Sequence, residues 1–146
     1  MKKRVKGVKL SRKRGARQAL VKNLARGLIL AERVKTTKAR AKFAQKYVEK
    51  LVTLAKKDTL TAARRIFALT GNKVTTKKLI SEIAPKFDNK LSGFTRVINL
   101  IPRRGDAAPM ALLEFAYPQV RKLKKETEKS KEAKVTKEVK NSKKKS

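Results

Sequence analysis

The chain has 146 residues, 42 of them Lys or Arg and 11 Asp or Glu, for a formal net charge of +31. Apolar residues, 40% of the chain, suffice for one modest core, and a domain near this size buries roughly two-thirds of its unfolded surface. The sequence holds no Cys, His or Trp, which excludes disulfides, Cys- or His-ligated zinc, thiol nucleophiles and imidazole acid–base chemistry.

Composition divides the chain into a basic arm (1–17), a body (18–118) and a Lys/Glu-rich extension (119–146). The arm carries Lys2, Lys3, Arg4, Lys6, Lys9, Arg12, Lys13, Arg14 and Arg17 without one acidic residue. It lacks an apolar core of the kind a signal peptide needs and is read as part of the mature protein. From Arg121 onward, 12 basic and 4 acidic residues leave only Leu123, Val135 and Val139 as larger apolar side chains. That cannot offset the entropy of ordering, so the extension is expected to be disordered. The uncharged run Gly27–Ala31 is far short of the ~20 apolar residues of a membrane span. The expectation is a soluble protein of a reducing, cytoplasmic compartment.

Leu20, Leu24, Gly27, Leu28 and Ala31 recur at helical spacing and predict an amphipathic helix over roughly 12–32, with Lys22, Arg26 and Arg33 on its outward face. Arg33–Thr36 is a candidate edge strand, and Thr36 or Thr37 a candidate cap. Phe43, Ala44, Tyr47, Val48, Leu51, Leu54 and Ala55 form the strongest helical stripe, with Lys42, Lys46, Lys50 and Lys57 opposite. Asp58 or Thr59 is expected to cap a third helix carrying Leu60, Ala63, Ile66 and Phe67, broken at Gly71-Asn72. A fourth, with Val74, Leu79, Ile80 and Ile83, is expected to stop before Pro85. From Phe94 the period becomes two. Phe94–Ile101 and Met110–Phe115 predict a hairpin around the turn-rich, basic loop Pro102–Pro109. Helices followed by strands indicate an α+β fold: two layers, about four helices on a small sheet with a C-terminal β-hairpin.

No catalytic constellation is apparent. Glu32 and Glu49 fall on charged helix faces, Asp58 has a capping role to fill, and Asp106 follows Gly105 in a turn where Asp bonds nearby backbone. Ser11, Ser81 and Ser92 have no local base. No cofactor or metal is expected. The cations are the informative signal: a protein that neutralises phosphates gains affinity by releasing condensed counterions. Besides the arm, the candidates are Lys22, Arg26, Arg33, Lys35, Lys38, Arg40, Arg96, Arg103 and Arg104. Phe43, Tyr47, Phe67 and Phe115 are assigned to the core, so no exposed stacking platform is expected, and recognition should run through phosphate, sugar and shape. Composition alone also permits a DNA-compacting protein, although no repeated groove-binding element is evident. A membrane-active cationic protein would call for bulky interfacial aromatics.

Gly7, Lys9-Leu10, Arg12, Arg17-Gln18-Ala19-Leu20 and Asn23-Leu24 resemble the N-terminus of the L-seventeen family of bacterial large-subunit ribosomal proteins. Val34-Lys35-Thr36-Thr37 resembles that family's link to its second helix, and Leu51–Lys56 the end of that helix. Ser92-Gly93-Phe94-Thr95-Arg96 is similar to its Gly-Tyr-Thr-Arg element, and Arg104–Ala111 to its hairpin loop, the most specific match. The likeness runs in order from residue 1 to about 117. Lys3 and Ala16 stand where family members often carry His. The resemblance implies helices against a small mixed sheet. It also implies a structural role in the large ribosomal subunit without catalysis, binding large-subunit (23S-type) ribosomal RNA near the polypeptide exit region beside other subunit proteins. Carried onto this chain, it makes the basic arm and first helix the main RNA-binding elements, with Arg96 and the Arg103-Arg104 loop secondary.

Overall fold

Two long helices dominate residues 8–117, the part of the chain that the computed structural model describes. The expectations for Lys2, Lys3, Arg4 and Lys6, and for the extension 119–146, lie outside the described residues.

Helix α1 (Arg14–Ala31) buries Val21, Ala25, Leu28 and Ile29. The expected stripe is therefore turned by about one residue: Leu20 and Leu24 are half-buried and Ala31 is exposed. Apolar side chains at 20, 21, 24, 25, 28 and 29 span a broad sector, and packing against α2 and β1 selects its centre. At its end Glu32 takes a left-handed φ of 61° and donates its N–H to the Leu28 carbonyl. It thus ends the helix and does not lie on its charged face. Strand β1 (Arg33–Thr37) follows where the edge strand was expected.

Helix α2 (Lys38–Ala55) buries Ala41, Ala44, Val48, Leu51, Val52 and Ala55. It is the centre of the fold, in contact with all three strands and with α1 and α3. Phe43 and Tyr47 are half-buried at its margin, and the Tyr47 hydroxyl donates to the Leu69 carbonyl at 2.9 Å.

Thr59 caps α3 (Leu60–Thr70), its hydroxyl accepting from the Ala62 N–H at 3.2 Å. Asp58 does not cap; it holds the preceding turn at φ 44°. Ala62, Ile66 and Thr70 form the buried face of α3. Phe67, assigned to the core by spacing, is 43% exposed, because it stands 100° around the helix from Ile66.

Asn72 caps α4 (Lys73–Lys78), its side chain accepting from the Val74 and Thr75 N–H groups. Val74, expected inward, is exposed. Regular α-helix ends at Lys78, yet the chain does not stop before Pro85. A wide π-type turn over Leu79–Ile83 closes with the Ala84 N–H on the Leu79 carbonyl, and a 3-10 turn over Ala84–Phe87 takes Pro85 near its start. A residue without an N–H is tolerated there, so the proline marks a change of helix type.

Strands β2 (Thr95–Asn99) and β3 (Met110–Phe115) make the expected hairpin, and β1 pairs with the other edge of β3. Both pairings are antiparallel. The sheet is antiparallel throughout, not mixed as the resemblance implied, because β1 and β2 each run against the central β3. Ala111, Leu113 and Phe115 face inward and join Phe87 and Phe94 in the core. The Phe87 and Phe94 rings meet edge to face at 5.4 Å, and Tyr117 stacks on Phe87 at 5.2 Å. The α+β, two-layer architecture follows. Among the described residues no helix is long and apolar enough to cross a membrane.

Candidate nucleic-acid interface

The cations fall into two groups, those that bond to the protein itself and those that do not. Four lysines outside the candidate set are engaged within the protein, three of them on backbone carbonyls. Lys78 Nζ donates to the Leu30 carbonyl at 2.9 Å, at the end of α1. Lys56 Nζ donates to the Lys90 carbonyl at 2.7 Å and lies over the Phe94 ring. Lys90 Nζ reaches the Ala116 carbonyl at 3.1 Å. Lys86 lies over the Tyr117 ring and 3.9 Å from Glu32.

Four candidates bond to the protein itself: Arg12 and Arg96, described below, and Arg26 and Arg103. Arg26 was placed on the outward face of α1, but its Nε donates to the Thr70 carbonyl at 2.5 Å. The half-buried guanidinium therefore caps the last turn of α3, where the helix dipole favours a cation. Arg103 forms a two-pronged pair with Asp106, Nε to Oδ1 at 3.0 Å and Nη2 to Oδ2 at 2.5 Å. Asp106 also accepts from the Ala108 N–H at 3.3 Å, as expected of an Asp in this turn. These bonds, the Arg103 pair foremost, lower its carboxyl pKa to about 2. Arg103 thus shapes the hairpin loop, while Arg104 beside it is exposed and makes no ion pair among the described residues.

The remaining candidates gather at two helix starts and on one sheet face. Lys9 lies in the turn before α1, where Leu10 and Ser11 have φ near 50° and Arg12 donates to the Leu10 carbonyl at 3.0 Å. Lys13 occupies the cap position of α1 with no side-chain cap, and Arg14 and Arg17 follow in a first turn that holds no acid. Lys22 lies a turn further on, half-buried. Helix α2 repeats the arrangement: Thr37 makes no cap bond, and Lys38 and Arg40 begin the helix without an acid. Cations at the positive end of a helix dipole, beside amides that no side chain satisfies, are the reverse of the usual preference. The Lys38 N–H donates to the Pro109 carbonyl at 2.9 Å, which ties the start of α2 to the hairpin loop.

Arg33 lies not on the outward face of α1 but on β1, with Lys35 on the expected edge strand, and both share the outer sheet face with Arg96 of β2. Arg33 and Arg96 both pair in register with Glu114, whose carboxylate accepts from Arg96 Nε at 2.6 Å. One carboxylate therefore lies in a row between two arginines, leaving that face cationic. Sequence periodicity overlooked a further group, Arg64, Lys73 and Lys77 around the exposed Phe67. The signal that would have found it is the absence of any acidic residue between Asp58 and Glu82. Among the described residues no three His, Cys, Asp or Glu side chains converge on a common point.

Residues 20–116 match the model of the family described as "Ribosomal protein L17". The chain belongs to the ribosomal protein L17 family. The Large ribosomal subunit protein bL17 of Campylobacter concisus is 48% identical over 107 residues, 73% of this chain and 91% of that protein. The protein of the same name in Acholeplasma laidlawii is 46% identical over 114 residues, covering 73% of this chain and 95% of its own length. That of Halalkalibacterium halodurans is 43% identical over 115 residues, 73% and 96% respectively. The L17 match covers α2 through β3 entirely and most of α1. The arm before residue 20 and the extension lie beyond it.

Proposed function

We propose that this L17-family chain is a structural constituent of the large ribosomal subunit that binds large-subunit ribosomal RNA by neutralising phosphates, without catalysis. The observation that carries the reading is the contrast between helix starts. Helices α3 and α4 have side-chain caps, whereas α1 and α2 begin uncapped and crowded with cations. Phosphate oxygens supply what both of those ends lack: acceptors for free N–H groups and negative charge for Lys13, Arg14, Arg17, Lys38 and Arg40. Lys9, Arg12 and Lys22 extend the first contact, and Arg33, Lys35, Arg96 and Arg104 provide a second around the sheet and hairpin. Lys2, Lys3, Arg4 and Lys6 continue the arm. Arg26 and Arg103 act on the protein's own backbone and loop.

The partners are ribosomal RNA and neighbouring large-subunit proteins, and the family resemblance supports a location near the polypeptide exit region, on ribosomes in the cytoplasm. Sucrose-gradient sedimentation of cell extracts tests the assignment. The protein should travel with large subunits and be released by high salt. Recovery with nucleoids, and absence from large subunits, would favour the DNA-compacting alternative.

A further inference from the structure

Between Asp58 and Glu82 the chain carries five cations and no acid. Three of them, Arg64, Lys73 and Lys77, surround a concavity of about 320 Å³ where α3 meets α4. Ala63 and the ring of Phe67, 43% exposed, line it as well. Arg64 precedes Phe67 by three residues and shares its helix face, and Lys73 and Lys77 stand one turn apart on α4. No Asp or Glu lines the concavity, and none of the three cations forms an ion pair among the described residues.

An aromatic ring left in water forgoes its burial, and three like charges around it repel one another. A ligand with a flat apolar face and an attached anion relieves both. We propose that this concavity holds one unpaired nucleotide of RNA, its base stacked on Phe67 and its phosphate among Arg64, Lys73 and Lys77. The proposal rests on the RNA-binding reading above and adds a base-stacking site remote in sequence from the basic arm. Bases inside a duplex present no free face, so the occupant comes from a loop or bulge. Stacking on an aromatic ring tolerates any base, because every base has a π-face. An acidic peptide would answer the charges and leave the ring uncovered.

The chain has no Trp, so Phe67→Trp in the full-length protein places its sole tryptophan at the site, excited at wavelengths that Tyr47 and Tyr117 do not absorb. It is titrated with an oligoadenylate and with an abasic oligomer of equal length and charge, and binding is followed independently by anisotropy of labelled oligomer. Both oligomers should bind and only the oligoadenylate should quench the fluorescence. Phe67→Ala should weaken oligoadenylate binding about ten-fold and leave abasic binding unchanged. Binding of both without selective quenching overturns the stacking site while the RNA-binding reading stands. Failure of the wild-type chain to bind either oligomer brings down that reading and this proposal together. Full affinity in Phe67→Leu would show that only apolar bulk matters, and the proposal fails. A Phe67→Ala protein that binds both oligomers normally, yet is lost from reconstituted subunits, assigns the concavity to a protein neighbour and likewise overturns it.

Discussion

Arg26 Nε donates to the Thr70 carbonyl at 2.5 Å across 44 residues of sequence, and Nη2 of the same guanidinium lies 2.7 Å from where a Cβ on Gly71 would stand. Gly71 ends α3 at φ 66°, its N–H bonded to the Phe67 carbonyl. Glycine is needed here twice over: for the left-handed backbone and for the space Arg26 occupies. Gly71→Ala should destabilise the fold by about 1–2 kcal/mol from backbone conformation alone, with the displaced arginine adding to it. Urea unfolding measures the change. A Gly71→Ala midpoint equal to wild type would mean that neither the left-handed backbone nor the space taken by Arg26 requires glycine at this position.

Arg26→Ala should cost about 1–2 kcal/mol of stability, the lower range for a hydrogen bond from a charged donor. It should leave the salt dependence of RNA binding unchanged. The triple replacement of Arg12, Arg14 and Arg17 by Ala should do the opposite, with modest change in stability and a salt slope flatter by about two to three units. Filter binding over a range of salt concentrations separates the two. A flattened slope in Arg26→Ala would restore that residue to the phosphate-facing set.

The helix starts yield a matched pair of substitutions. Asn72 Oδ1 accepts from the Val74 N–H at 2.8 Å and the Thr75 N–H at 3.3 Å, so Asn72→Ala should cost about 1 kcal/mol. Thr37→Ala removes no cap bond from α2 and should cost about half that or less. Thermal melts of the free protein provide the comparison. Equal losses would mean that the α2 start is capped in solution, which would weaken the argument for an anion there.

The Arg103–Asp106 clamp sets a pH dependence with a definite sign. The Asp106 carboxyl is depressed to about 2, first by its bond from Arg103. Its contribution to the hairpin loop is fully present above the ordinary carboxylate range, near pH 4, and is lost as pH falls through about 2. Amide exchange or NMR shifts of Ala107 and Ala108 should report loosening in that window, and Asp106→Asn should show the loosened loop at neutral pH. A loop that responds first at pH 5 or above would contradict the pairing.

The Tyr117 hydroxyl is buried and makes no hydrogen bond among the described residues. Burial raises its pKa first, and the nearby Glu32 raises it further. Removing an unsatisfied buried hydroxyl while keeping the ring stacked on Phe87 should be neutral or stabilising by about 0–1 kcal/mol. Tyr117→Phe is therefore expected to melt no lower than wild type. A clear loss of stability would reveal a partner for that hydroxyl.

Periodicity and punctuation in the sequence determined most of the local architecture. The α2 stripe, a cap at Asp58 or Thr59, the break at Gly71-Asn72, the edge strand after α1 and the hairpin around a basic loop all follow from neighbouring residues, and the structure chose Thr59 for the cap. So does the surplus of charge that calls for a polyanion. Tertiary structure alone decided which sector of α1 is the core, that Phe67 lies outside it, and that the helical path continues past Pro85. It also decided which cations are available. Arg26 and Arg64 are alike in one dimension, each a basic residue on an amphipathic helix. They differ because α3 ends within reach of Arg26, offering carbonyls to a guanidinium, whereas Arg64 borders a concavity that holds no acid. Local patterns fix backbone conformation through contacts a few residues apart, but the partner of a long, flexible side chain is set by whatever distant element folding brings beside it.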